Sequence, residues 1–86
     1  MLFRSLHLAA WSGCQEIANA LIRHGSDVNA RDDSQQTALH LAALNGHGKV
    51  LQVLLQRGSD VNAEQRLGWT PLHLAALAGQ DRKSVV

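Results

Sequence analysis

Five histidines, one cysteine and a scatter of carboxylates are the residues of this 86-residue chain that could do chemistry. His7, His40 and His73 recur at intervals of 33. A metal needs several such side chains in one coordination sphere. Packed helices lie about 10 Å apart, so imidazoles carried one per repeating unit form a ladder too widely spaced for one ion. The same regularity suits a hydrogen-bonding brace, because a neutral imidazole offers one donor and one acceptor. His24 and His47 lie off the ladder and are expected on the surface. Cys14 is expected at the start of a helix, a place that lowers thiol pKa values. No repeated feature provides it with a base, so it reads as a solvent-facing or half-buried cysteine. Asp27 and Asp60 share the 33-residue step and read as turn residues, while Asp32 and Asp33 share one loop and read as solvated. Catalysis needs a nucleophile beside a base, or paired carboxylates in a pocket. Neither arrangement emerges. The chain is expected to be no enzyme, to use no cofactor and to hold no metal.

The elements that carry these residues follow from an internal repeat. Leu6-His7-Leu8-Ala9-Ala10 returns as residues 39–43 and 72–76, and Gly25-Ser26-Asp27-Val28-Asn29-Ala30 returns as residues 58–63. Within 4–36, 13 positions are identical 33 residues later, in register and without a gap. In the unit 37–69, Thr37 is a helix N-cap, and in the next unit Thr70 is followed by Pro71 at the first helical position. A helix of about two turns ends at Gly46. Val50, Leu51, Val53 and Leu54 then give a second helix one apolar face, ended by Gly58. A polar connection follows, in which Gly68 suits a turn of positive φ. Neither helix is long enough to stand alone in water, so each unit needs its neighbour to cover it.

Thr70-Pro71-Leu72-His73-Leu74-Ala75-Ala76 with Gly79, and Gly58-Ser59-Asp60-Val61-Asn62-Ala63, resemble the signature and closing segment of the ankyrin-repeat family. The resemblance covers roughly residues 4–80. It implies an all-α solenoid of about two and a half helix-turn-helix repeats with projecting β-hairpin loops, in one domain over 1–86 (repeats 4–36 and 37–69, and a partial repeat 70–86). It also implies binding of a protein partner on the concave face of hairpin tips and first helices. Departures shape the expectation. Arg4-Ser5 replaces Thr-Pro in repeat one. Gln35 replaces the usual turn glycine, so the first hairpin is expected to be distorted. Lys83-Ser84 fall where Val50-Leu51 sit, so the third second helix is expected to be missing, out of register or frayed. Both ends lack the polar faces of capping repeats, so the chain reads as a fragment of a longer array or a short isoform, with neighbouring repeats or self-association at the uncapped ends.

Positions that repeat carry the fold, and positions that vary are free for recognition. The family's concave positions fall here on Trp11 and Ser12, Leu44 and Asn45, and Leu77 and Ala78 of the first helices. In the hairpins they fall on Arg31, Asp33, Ser34 and Gln36, then on Glu64, Arg66, Leu67 and Trp69. Trp and Arg are the residues most enriched among interface hot spots. Asn29 and Asn62, each with a leucine eight residues earlier, resemble substrates of an asparagine hydroxylase. Ser84-Val85-Val86 resembles a C-terminal ligand of PDZ type.

Composition excludes other classes. Eight Lys and Arg against seven Asp and Glu leave a net charge of +1, too little for an electrostatic grip on nucleic acid or membrane. Apolar residues are 45% and charged residues 17%, too hydrophobic for a disordered tail. No apolar run approaches the roughly 20 residues of a membrane span. His7 and Trp11 argue against a signal peptide, and one cysteine excludes an intrachain disulfide, so a cytoplasmic or nuclear location is expected. The expected function is a protein–protein interaction module of scaffold or adaptor type. The alternative is a targeting or regulatory segment of a larger enzyme or channel.

Overall fold

The computed structural model describes residues 5–83 as five helices: α1 (Ser5–Ser12), α2 (Gln15–Arg23), α3 (Ala38–Leu44), α4 (Gly48–Gln56) and α5 (Pro71–Lys83). No strand occurs among the described residues. Helices α1, α3 and α5 form one layer, with α3 in the middle, and α2 and α4 stack beneath α1 and α3. Every residue of α3 from Ala38 to Ala43 is buried. The core joins Leu6, Ala9 and Ala10 of α1 to Leu39, Leu41 and Ala42 of α3, over Ala18, Val50 and Leu54 of the second layer. Alanines at the contact let the backbones approach closely, and leucines fill what remains.

The caps follow the sequence signals. Thr37 Oγ1 accepts the His40 N–H at 3.4 Å, and His40 Nδ1 accepts the Thr37 N–H at 3.1 Å, a reciprocal capping box. Thr70 and His73 repeat it, with the Thr70 N–H donating to Nδ1 at 3.0 Å. Helices α2 and α4 end in left-handed glycines, Gly25 at φ 98° and Gly58 at φ 91°. Past them the Ser26 and Ser59 N–H groups reach back to the Leu21 and Leu54 carbonyls at 3.0 and 3.1 Å.

One expectation is corrected. The first hairpin is not distorted by Gln35, which takes the left-handed conformation itself, at φ 64° against 86° for Gly68. The two loops therefore close alike. Gln35 N–H donates to the Asp32 carbonyl at 2.9 Å, and Gly68 N–H to the Gln65 carbonyl at 2.8 Å. The Asp32 and Gln65 N–H groups donate to the Gln36 and Trp69 carbonyls, each at 3.0 Å. Side chains reinforce both turns: Asp32 Oδ1 accepts the Ser34 and Gln36 N–H groups, and Gln65 Oε1 those of Leu67 and Trp69. These bonds hold Gln35 in a conformation that costs a non-glycine residue roughly 1–2 kcal/mol.

The third unit lacks a separate second helix among the described residues, as expected. Units one and two turn at Gly13 (φ 80°) and Gly46 (φ 71°). In unit three α5 runs straight through position 79 to Lys83. Gln80-Asp81-Arg82-Lys83 has no apolar residue to fold back over the core, and Gln, Arg and Lys are good helix formers, so the helix propagates instead. Residues 84–86, and with them the PDZ-type terminus, lie outside the described residues.

Candidate protein-binding surface

The histidine ladder braces each first helix to the hairpin that ends its unit. His7 Nε2 donates to the Gln36 carbonyl at 2.8 Å, and His40 Nε2 to the Trp69 carbonyl at 2.9 Å. Each carbonyl belongs to the last residue of its own unit and closes the hairpin in front of the next first helix, so every bond ties a first helix to the hairpin that leads into the following one. A carbonyl can only accept, so Nε2 carries the proton and Nδ1 of His40 is left to accept from Thr37. Burial pushes the His40 imidazole below the ordinary histidine range, against the opposing pull of the Trp69 carbonyl. His7 is buried as well, and its Nδ1 has no hydrogen-bond partner. Among the described residues no three His, Cys, Asp or Glu side chains gather to hold a metal.

Other side chains tie the units side to side. Asn29 Oδ1 accepts the Asp60 N–H at 2.7 Å, and its Nδ2 donates to the Gly58 carbonyl at 3.4 Å. Asn62, one unit on, is exposed. Arg31 donates to the Glu64 carbonyl at 2.7 Å, while Arg66 donates from its guanidinium to the Asp33 carbonyl and from its backbone to the Ser34 carbonyl. Asn45 Nδ2 and His47 Nε2 both donate to the Trp11 carbonyl, at 2.8 and 3.0 Å. His47 is thus half-buried at a junction, and its ring would lie 2.7 Å from any Cβ added at Gly13.

These bonds divide the fourteen candidate recognition residues. Arg31, Asn45 and Arg66 are spent on internal ties. Asp33, Ser34 and Glu64 lend backbone carbonyls to those ties and keep exposed side chains. Ser12 is exposed, with its hydroxyl donating to the Leu8 carbonyl at 2.9 Å. Gln36, Leu44 and Ala78 are half-buried. Trp11, Leu67, Trp69 and Leu77 remain as large exposed apolar side chains. Three of these four meet. Leu67 and Trp69 from the second hairpin and Leu77 from α5 line an open groove of about 380 Å³, with Gly68, His73 and Ala76 completing it. The Trp69 ring stands edge-on to His73, centroids 6.3 Å apart and planes at 71°. Trp11 does not line this groove. It stands two units away, at the register position of Leu44 and Leu77.

Sequence reasoning missed His73 and Ala76 as groove residues, because their counterparts are buried in the earlier units. It missed the turn-closing role of Gln65 too, although that residue stands 33 positions after Asp32.

A stack of two-helix units, braced through Thr-x-x-His caps and joined by stapled hairpins, is the architecture of a repeat-built binding scaffold. A family model of ankyrin repeats in three copies matches residues 6–85, and the chain belongs to this family. No curated protein matches it. Ankyrin repeats are in general protein–protein interaction modules and in general non-catalytic. No helix among the described residues is long and apolar enough to cross a membrane.

Proposed function

We propose that this chain is a non-catalytic adaptor that docks one protein partner along the first helices and hairpin tips. The groove that gathers Leu67, Trp69 and Leu77 carries this reading: an apolar strip beside polar hairpin tips has the make-up of an interface core and rim. From Trp11 to Leu77 the face spans two helix-packing steps, about 20 Å, which fits a peptide or a ridge rather than a small substrate. The inter-unit ties hold the face rigid before the partner arrives, so little ordering entropy is lost on docking. The remaining exposed candidates, Ser12, Asp33, Ser34 and Glu64, serve as its polar rim and set its specificity. A lone half-buried Cys14 suits a reducing, cytoplasmic setting.

The test is a crosslinking pulldown with wild type against a Trp11→Ala/Trp69→Ala variant. Both indoles are exposed, so the variant should keep its helical circular dichroism and lose the partner. Equal capture by both proteins would reject the reading, and a lost melt with undiminished capture would assign the tryptophans to packing.

A further inference from the structure

We infer that Asn45-Gly46 is a self-modifying site, kept unreacted by α1 and converted to aspartate and isoaspartate when α1 leaves α3. Asn45 alone among the asparagines of the chain is followed by glycine, whereas Asn19, Asn29 and Asn62 each precede alanine. A glycine has no Cβ to crowd its own backbone nitrogen as that nitrogen approaches the preceding side chain. Gly13, Gly46 and Gly79 share this register position, but Ser12 and Ala78 stand where the second unit has Asn45. Only the second unit pairs a side-chain amide with an unhindered nitrogen.

The reaction uses water alone and changes no oxidation state. The Gly46 nitrogen gives its proton to solvent base and attacks Asn45 Cγ. An N–Cγ bond forms, the Cγ–Nδ2 bond breaks, and Nδ2 leaves as ammonia with a proton from water. Water then opens the five-membered imide. Attack at Cγ restores the original peptide link and leaves aspartate. Attack at the main-chain carbonyl leaves isoaspartate, with the backbone routed through Cβ. The sum is amide plus water giving acid plus ammonia.

The fold blocks ring closure in three ways. The ring requires the attacking nitrogen to eclipse Cβ about the Cα–C bond of Asn45. Asn45 is the C-cap of α3 with ψ 1°, where that nitrogen eclipses the Asn45 backbone nitrogen instead. The Gly46 N–H is engaged with the Ala43 carbonyl at 3.2 Å. The half-buried side-chain amide is pinned through Nδ2 to the Trp11 carbonyl at 2.8 Å. The first two blocks are local to the end of α3, and helix ends fray. The third reaches in from α1. Repeat units touch only their neighbours, so unit one can open while the rest stays stacked. Its opening removes the Trp11 carbonyl and frees the amide.

Conversion then acts as a latch. A carboxylate at position 45 sets oxygen against the Trp11 carbonyl, two acceptors with no hydrogen between them. Isoaspartate inserts a backbone methylene ahead of Gly46, whose φ of 71° makes the turn. It also shifts the His47 N–H away from the Ala42 carbonyl, to which it donates at 2.9 Å. Helix α1 has no matching seat to return to.

Peptide mapping by mass spectrometry, with aspartate and isoaspartate separated by chromatography, follows the reaction at physiological temperature and mildly alkaline pH. Asn45 should convert in unfolding urea and at least about tenfold more slowly in native buffer, because only the opened fraction reacts. Leu6→Ala thins the contact of α1 with α3 and should speed conversion severalfold in native buffer. Leu6→Val is the milder variant, read in its place if Leu6→Ala loses wild-type circular dichroism. The isoaspartyl fraction should melt below the unreacted chain. No conversion in urea, or conversion of Asn29 and Asn62 there at the Asn45 rate, would overturn the site. Equal rates in urea and native buffer would overturn the protection by the fold. A folded Leu6 variant reacting at the wild-type rate would overturn the assignment to α1, and an unchanged melt would overturn the latch.

Discussion

Thr37-Ala38-Leu39-His40 and Thr70-Pro71-Leu72-His73 begin their helices with the same reciprocal cap and the same Thr–His distances to within about 0.1 Å. Yet His40 is fully buried, and His73 is exposed. Four residues are enough to set the cap, because its bonds close within one turn. Burial is decided by the neighbouring unit, and the bond of Nε2 by the hairpin that follows the helix pair. Local sequence builds the part, and the stack gives it its energetic weight.

The widest gap between the two sites should appear on truncation. His40→Ala leaves a cavity, an uncapped Thr37 and a Trp69 carbonyl that keeps only the Gln65 N–H, and should cost about 2–5 kcal/mol, enough to unfold a domain this small. His73→Ala removes only an exposed cap and should cost about 0.5–1 kcal/mol. Urea midpoints measure both, and equal losses would dissolve the distinction.

Acid should separate the sites next. Burial lowers the His40 pKa from 6.5, so below that value the unfolded chain takes up a proton that the folded ring resists. The stabilising contribution of neutral His40 is whole above about pH 6.5 and is lost as pH falls through that value toward the lowered folded pKa. The urea midpoint should therefore fall between pH 7.5 and pH 5.5, and still fall in His73→Ala. A midpoint that rises on acidification would reverse this assignment.

The smallest effect lies in the hairpins. Gln35→Gly should stabilise the chain by about 0.5–1 kcal/mol, since glycine takes positive φ without a Cβ penalty and the Asp32 bonds are to backbone. Gly68→Gln should destabilise it by a similar amount in thermal melts. No change in either would mean that the flanking bonds already absorb the strain.

Most of the fold was legible from one period. The 33-residue echo, Thr37 and Thr70 as caps, the left-handed glycines and the histidine brace all depend on contacts within a unit or on strict repetition. Legibility failed where a residue's fate rests on its surroundings. Gln35 was expected to spoil a turn because glycine favours that conformation. Asp32 and the backbone hold it there regardless. The loss of the third second helix was legible from Lys83-Ser84, but the straight run of α5 through position 79 was not, since it depends on there being no apolar second helix to draw the chain back. The register of the fourteen candidate positions was legible, and the groove was not, since His73 and Ala76 are exposed only because the third unit ends the described stack. Side-chain length hid the arginine ties as well: nothing in the order of residues says that Arg31 and Arg66 reach across to the neighbouring loop.

Those ties change how the projecting loops meet a protease. Loop tips are ordinarily the first places at which a domain is nicked. Trypsin cuts after arginine, and both loops display one. To enter the enzyme's cleft as an extended strand, the segment around Arg66 must first surrender its bonds to the Asp33 and Ser34 carbonyls, and that around Arg31 its bond to Glu64. The most prominent parts of the molecule are thereby sewn to one another, and digestion should enter elsewhere.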